Sequence, residues 1–508
     1  FIDPKHAISI PLYFNFSKQI GTPEYNPFQG DILLKETLKD LSEYGKDSLM
    51  QIIQDYTLRK NFSIVNARKI FRSAEKQLKP WNIENFALSY LYNEYEHRDL
   101  YTSNSMQKNY RGSLDYTFNN PSVTFREPFK KSNLLKSLNY NLMPSLLSFR
   151  MEVNRIYQEN TFRDNASNNV LPTYYNKNFN TNRIYGISWD LTKSFRVDFN
   201  ATNYAIIDEP NGRIDGARKD TLWNNFWRMG RNMDYNHMLN FTYTLPLNKI
   251  PYLEWLNVTT RYGSQFNWQS EPLNLLKNES INLGNSIQNN RTIQINPSLN
   301  FSSLYNKFSF YRNNTGPTNQ DLISFFVRML TGIRSVNAAY TRVEGTYLPG
   351  YMPNSNILGH SFKQNAPGWD FILGAQVDML NRAQSNQWLS TDSLQNNAYT
   401  RSYAENLSAI AHAEPIKGLR LDFTSTKIDN RNSLLPLQVL GNQIFHETGS
   451  YAVSQIGIKT SFKNSLSLFQ EFEKNKQLVS ELLGDLNPNS SGNDANFFAD
   501  GYNENQQD

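Results

Sequence analysis

The chain contains no cysteine in its 508 residues. Disulfides, thiolate metal sites and cysteine nucleophiles are therefore excluded. Charge is scarce as well. Asp, Glu, Lys and Arg make up 19% of the sequence, below the roughly 25% of soluble globular domains. The net charge of +5 is spread along the chain without a dense basic block, so no nucleic-acid partner is indicated. No apolar run approaches the roughly 18–20 residues of a membrane-spanning helix; the longest, Leu322–Leu330, is interrupted by Arg328.

Sequence signatures of chemistry are also missing. There is no phosphate-cradling G-x-x-x-x-G-K, no dinucleotide G-x-G-x-x-G and no G-x-S-x-G elbow. The six histidines, His6, His97, His237, His360, His412 and His446, are far apart and form no H-E-x-x-H pair. The acid pairs Asp208–Glu209 and Glu471–Glu473 read as ordinary loop carboxylates. No catalytic, cofactor-binding or metal-ligating residue is assigned, and the sequence reads as that of a non-enzyme. It begins at Phe1 and ends in a polar run, Gly484 to Asp508, that looks like a loop cut short; a piece of a longer protein is expected.

What the chain has is aromatic side chains and alternation. Phe, Tyr and Trp make up 14% of residues, although mean hydropathy is polar at −0.61. Leu147, Phe149, Met151 and Val153 interleave with Ser148, Arg150, Glu152 and Asn154. Phe195, Val197, Phe199 and Ala201 interleave with Arg196, Asp198, Asn200 and Thr202. From 258 to 268, Tyr262, Phe266 and Trp268 oppose Arg261, Gln265 and Asn267. A period of two marks strands with unlike faces. About fourteen strands are predicted, near 7–15, 61–67, 83–97, 105–119, 145–162, 179–192, 195–207, 236–245, 255–268, 291–301, 332–345, 399–413, 418–430 and 446–461.

Such strands suit either a soluble sandwich or a membrane barrel. Three features favour the barrel. Several strands match or exceed the roughly 9–11 residues needed to cross a bilayer. Tyr and Trp gather toward strand ends, as at Trp81, Tyr92, Trp189 and Trp268, where an interfacial girdle would place them. Consecutive strands read as hairpins, for example across Thr192–Ser194. The fold class expected is all-β membrane: a segment of a very large antiparallel transmembrane β-barrel with helical inserts and cap loops. Its parts are a strand plus helical insert over 1–80, and wall strands over 81–301 with a helix near 215–229. A connecting insert over 302–331, further strands over 332–461 with a Gly/Pro-rich loop at 345–374, and an amphipathic helix and polar tail over 462–508 complete it.

Charges within the alternating strands fall on one phase. Arg or Lys facing lipid at mid-bilayer costs roughly 2–4 kcal/mol each, so this phase is expected to line an aqueous lumen. The candidate lumen-lining residues are Arg150, Glu152, Asn154, Arg196, Asp198, Arg261 and Gln265. The run Gly345-Thr-Tyr-Leu-Pro-Gly-Tyr-Met-Pro353 is not expected inside a regular strand; it suits a loop across a mouth or into a lumen, or an ordinary surface loop.

Several less common strings carry a family resemblance. They include Pro80-Trp-Asn-Ile-Glu-Asn-Phe86, Tyr110-Arg-Gly-Ser113, Asn139-Tyr-Asn-Leu-Met-Pro-Ser145 and Ile207-Asp-Glu-Pro210. The longest runs from Tyr235-Asn-His-Met-Leu-Asn-Phe241 through Leu245-Pro-Leu-Asn-Lys-Ile-Pro251 to Gln265-Phe-Asn-Trp268. Gly345-Thr-Tyr-Leu-Pro-Gly350 and Pro367-Gly-Trp-Asp-Phe371 follow. In these the chain resembles the SprA/Sov family, the outer-membrane translocon of the type IX secretion system. The resemblance implies a single-chain barrel far wider than porins in the bacterial cell outer membrane. Such a barrel passes folded cargo proteins with C-terminal sorting domains, gliding-motility adhesins among them, from periplasm to surface. It also implies membrane lipid, a PorV-type outer-membrane barrel and a periplasmic plug protein as partners, and places this chain toward the C-terminal half of a longer protein. One departure is that Leu304 to Gln320 is shorter than the polar insert expected there. The alternatives are a TonB-dependent-type nutrient transporter barrel, which would show an N-terminal plug domain, and a soluble or surface β-rich ligand-binding protein.

Overall fold

The computed structural model describes residues 2–3, 8–70, 79–120, 124–128, 139–164, 169–276, 281–314, 322–416, 418–437 and 445–454, with isolated positions between 470 and 482. The chain is mostly antiparallel β-sheet. Fourteen long strands follow one another: β1 (Leu12–Gly21), β2 (Asp55–Lys69), β3 (Phe86–Arg98), β4 (Thr102–Asn119), β5 (Leu146–Asp164), β6 (Tyr174–Asp190), β7 (Phe195–Ile206), β8 (Arg231–Leu245), β9 (Leu256–Gln269), β10 (Asn285–Asn300), β11 (Ile333–Tyr351), β12 (Ala398–Ile416), β13 (Leu419–Pro436) and β14 (His446–Val453). Each predicted strand overlaps one of them.

From β1 to β13 every strand pairs antiparallel with its successor. Beside β13, the Asn430 amide donates to the Ser450 hydroxyl of β14 at 3.2 Å. Such a meander needs only local connections. Between β6 and β7 the amides of Thr192 and Phe195 each donate to the other's carbonyl. Gly418 takes φ +87° in the turn from β12 to β13, a conformation that costs glycine little. The sheet is not closed into a barrel, and β1 is exposed along its whole length.

The helical inserts lie at strand ends. The helical insert expected within 1–80 is two helices, Leu34–Lys39 and Glu43–Ile53, the second capped by the Ser42 hydroxyl accepting from the Gly45 amide. Ala217–Trp227 and Leu322–Leu330 are helical as expected. No helix among the described residues is long and apolar enough to cross a membrane. The amphipathic helix and polar tail expected over 462–508 lie almost entirely outside the described residues, as do 315–321 within the connecting insert.

One expectation is corrected. The Gly345–Pro353 run continues β11 as far as Tyr351, with Leu348 opposite Ile287 and Pro349 opposite Ser286. The ladder tolerates Pro349 because the register shifts between Asn285 and Ser286, and bulges at strand ends are where proline is accommodated. Gly350 and Gly284 meet back to back there, at φ +72° and +75°. A Cβ on Gly284 would sit 2.9 Å from the Gly350 carbonyl carbon.

Candidate functional site

Directly paired residues in an antiparallel sheet point to the same face, so the register assigns every side chain a side. Arg150 lies opposite Asp115 on β4 and Ile184 on β6. Ile184 lies opposite Thr202, which shares its phase with Arg196 and Asp198. Asp198 faces Asn240, and Asn240 faces Gly263, between Arg261 and Gln265. All seven sequence-predicted residues, Glu152 and Asn154 included, therefore share one face.

Their charges are paired along that face. Arg150 Nε reaches Asp115 at 2.9 Å and Glu152 at 3.0 Å. Arg196 holds Asp198 at 2.9 Å, and the Ser188 hydroxyl donates to the same carboxylate at 2.6 Å. Arg261 donates to the Asn240 side-chain oxygen at 3.1 Å. The Arg150 and Arg196 side chains are about half exposed, so these pairs add little stability, roughly 0–1 kcal/mol each. Their effect is to keep the face hydrated and locally neutral.

The opposite face has two zones along each strand. One is an apolar band running across the sheet: Phe14 and Phe16 on β1, Leu88 on β3, Phe149 on β5, Phe241 on β8 and Leu407 on β12 belong to it. Many of its members are exposed, among them Phe14 at 68%, Leu88 at 52% and Phe423 at 48%. The band stops at a row of ion pairs in the same phase. Lys60 meets Glu94 at 3.1 Å, Arg155 meets Glu209 at 2.7 Å, and Glu405 meets Lys427 at 2.8 Å. Glu344 is held between Arg291 and Arg342. The change is abrupt: Val153 gives way to Arg155, Ile293 to Arg291 and Leu407 to Glu405. From Leu147 to Val153, the last apolar residue before Arg155, the strand rises roughly 20 Å at about 3.3 Å per residue.

Beyond the ion-pair row, the insert between β11 and β12 covers the same face. Short helices Trp369–Ile372 and Met379–Ser385 seat Phe371, Ile372 and Met379 against Phe266, Trp268, Ile287 and Leu348. Polar groups on the strands receive the insert's main chain. Trp268 Nε1 donates to the Pro353 carbonyl at 3.1 Å. Asn289 Nδ2 donates to the carbonyls of Phe371 and Ala375, each at 3.0 Å. His237 Nε2 lies 3.1 Å from the Ile372 carbonyl oxygen. Within the insert, paired hydrogen bonds from Arg382 hold the Asp370 carboxyl below the usual carboxylate range.

The Gly/Pro-rich insert lies against the apolar face, since the large strand side chains it buries all belong to that phase. One sequence reading is corrected. Trp268 is not part of an exposed girdle; it is 1% exposed beneath the insert. Tyr92 sits inside β3 and not at its end, whereas Trp189 does lie at the end of β6. Sequence reasoning passed over Asn289 and Glu344 and gave His237 no role. Their signal was present: each is a polar residue in the apolar phase of its strand.

The remaining chemical candidates, where described, make contacts within the fold. Glu209 is spent in a bidentate pair with Arg155 and Asp208 in a pair with Arg231. His360 stacks on Trp369 with ring centroids 4.6 Å apart. Glu471–Glu473 lie outside the described residues. Among the described residues no three His, Asp or Glu side chains gather as a metal would require. No known protein-family model matches the chain, and no curated protein matches it in sequence.

Proposed function

We propose that the chain is an arc of the wall of a giant outer-membrane barrel, a protein-conducting translocon of the type IX kind. In this reading the apolar band meets lipid and the face of Arg150, Arg196 and Arg261 lines a wide aqueous lumen. The observation that carries it is the separation of the two faces. Large apolar side chains stand exposed across the sheet on one side, while the other is Asn-, Ser-, Thr- and charge-rich with its ions paired. A soluble sandwich would press an apolar face against a second sheet; here, among the described residues, the face is covered in part by the insert between β11 and β12 and in part by helix Ala217–Trp227.

A passive conduit needs no catalytic centre. Folded cargo needs a lumen wider than the aqueous channel that about 16–18 strands enclose, so the fourteen strands form part of the circumference. Their exposed edges pair with further strands, since open sheet edges are not tolerated in lipid. The resemblance to the SprA/Sov family supplies the cargo class, folded proteins with C-terminal sorting domains, and the partners, a PorV-type barrel and a periplasmic plug.

Single cysteines test the assignment cleanly in a chain that has none. In outer-membrane vesicles carrying the complete protein, cysteines replacing Arg150, Arg196 and Arg261 should react with a water-soluble maleimide. Those replacing Phe149, Phe241 and Leu407 should be protected. The reverse pattern rules out the lumen and the band together.

A further inference from the structure

Helix Ala217–Trp227, carried in the insert between β7 and β8, docks on the apolar face through Leu222, which packs with Phe179 and Ile207. It does not close down on the strands beside it. A cavity of about 540 Å³ remains between them, walled by Tyr90, Tyr110 and Val153 of the sheet and by Trp223 and Phe226 of the helix. That volume falls within the roughly 300–1,000 Å³ of small-molecule sites. Its floor is Gly112, opposite Tyr90 and Val153 in regular ladder pairing. A Cβ placed on Gly112 would meet nothing within 4 Å. Glycine inside a strand weakens it and often marks a close approach by something else; here no protein atom makes that approach.

The one charged group in the wall is already satisfied. Arg155 gives both arms of its guanidinium to Glu209, at 2.7 and 2.8 Å, and its charge lies over the Tyr110 and Phe179 rings. The site therefore offers mainly hydrocarbon and aromatic surface, with its one charge already paired. Val153 lines it and is also the last member of the apolar band on β5, so the cavity adjoins the band.

We infer that this cavity holds an acyl chain of a membrane lipid, inserted from the band and clamped under the helix. The inference rests on the band facing lipid. A bound chain would fill the gap that Gly112 leaves and order the helix, whose Trp223 and Trp227 remain exposed at 55% and 72% as interfacial tryptophans do.

The test uses the complete protein reconstituted with phosphatidylethanolamine bearing a diazirine near the end of one acyl chain. After illumination, crosslinks to Tyr110, Trp223 and Phe226 are compared with crosslinks to Phe241 in the open band. Gly112→Phe should reduce the cavity crosslinks about tenfold, the scale of excluding a couple of methylene groups, and leave Phe241 unchanged. Trp223→Ala, which removes a wall without touching a strand, should reduce crosslinking to Tyr110 and Phe226. Gly112→Ala, whose added methyl enters open space, should retain most of it. Cavity crosslinks that are absent, or unchanged in Gly112→Phe, overturn the inference while labelled Phe241 leaves the band standing. An unlabelled Phe241 overturns the membrane reading itself.

Discussion

The side-chain amide of Asn289 donates to the main-chain carbonyl of Phe371 at 3.0 Å, and both residues are fully buried. The same amide group donates to Ala375, and the Asn289 oxygen accepts from Gln376 at 3.1 Å. One strand residue thus satisfies the polar backbone at the centre of the insert, where no water reaches.

Asn289→Ala should therefore loosen the insert without unfolding the sheet. It leaves two carbonyls without this donor, at roughly 1–3 kcal/mol for each buried group left unpaired. Hydrogen exchange at the amides of Ile372, Gly374 and Ala375 should speed up by about an order of magnitude or more. Exchange across the band, at Phe241 and Tyr262, should not change. Equal acceleration at both places would mean that insert and wall are one cooperative unit.

The Arg155–Glu209 pair makes a different prediction, because its side chains are only 17% and 3% exposed. Removing one partner strands the other: Glu209→Ala should destabilise the insert between β7 and β8 by roughly 3–5 kcal/mol. Replacing both, Arg155→Met with Glu209→Leu, should recover most of that loss, since a buried pair is often no better than apolar residues of its size. Local exchange rates in helix Ala217–Trp227 measure both effects. A double variant as unstable as the single one would assign the pair a role beyond mutual neutralisation.

How far the sequence could be read follows from what period two encodes. Alternation located the strands and put Arg150, Asp198 and Gln265 on one side, because residue parity survives any error in strand ends. It says nothing about what covers an apolar face at a given height. Phe241 and Trp268 carry the same signal, yet one lies in the open band and the other under Pro353. The helices Trp369–Ile372 and Met379–Ser385 were not legible, being too short for a helical period and bounded by Pro367, Gly368 and Gly374. The polar interruptions at His237, Asn289 and Glu344 were legible as breaks in phase, and each marks a place where the face stops being exposed hydrocarbon.

Acid should weaken the insert's own ion pair. Asp370 is held below its ordinary value by Arg382, so its contribution is present above the unfolded-state pKa and is lost as pH falls through the lower folded value. Insert protection should accordingly be flat from neutral pH to the onset of carboxylate titration and should weaken only in acid. Asp370→Asn should remove that acid step and lower protection at neutral pH. Both groups are partly exposed, so the effect is small beside that of Asn289. Exchange at Ala375, whose amide donates to the Asp370 carbonyl at 2.9 Å, is the readout.

Charge placed in the two phases should have opposite consequences. Phe241→Lys puts an ammonium in the middle of the apolar band, whereas Leu407→Arg puts a guanidinium at its edge, opposite Lys427 on β13. At mid-bilayer the first should cost roughly 2–4 kcal/mol and the second less, and both should reduce the folded, heat-modifiable fraction in the outer membrane. Thr242→Lys and Asn406→Lys move the same charge one residue along, onto the polar face, where Thr242 lies opposite Arg261 and Asn406 opposite Thr341. These should assemble normally, because water solvates the added charge. Assembly yield compared between neighbours one residue apart isolates facing from depth, since both positions sit at nearly the same height. Equal tolerance of Phe241→Lys and Thr242→Lys would mean that both sides of the sheet are wet, and the band would then require a protein partner and not lipid to cover it.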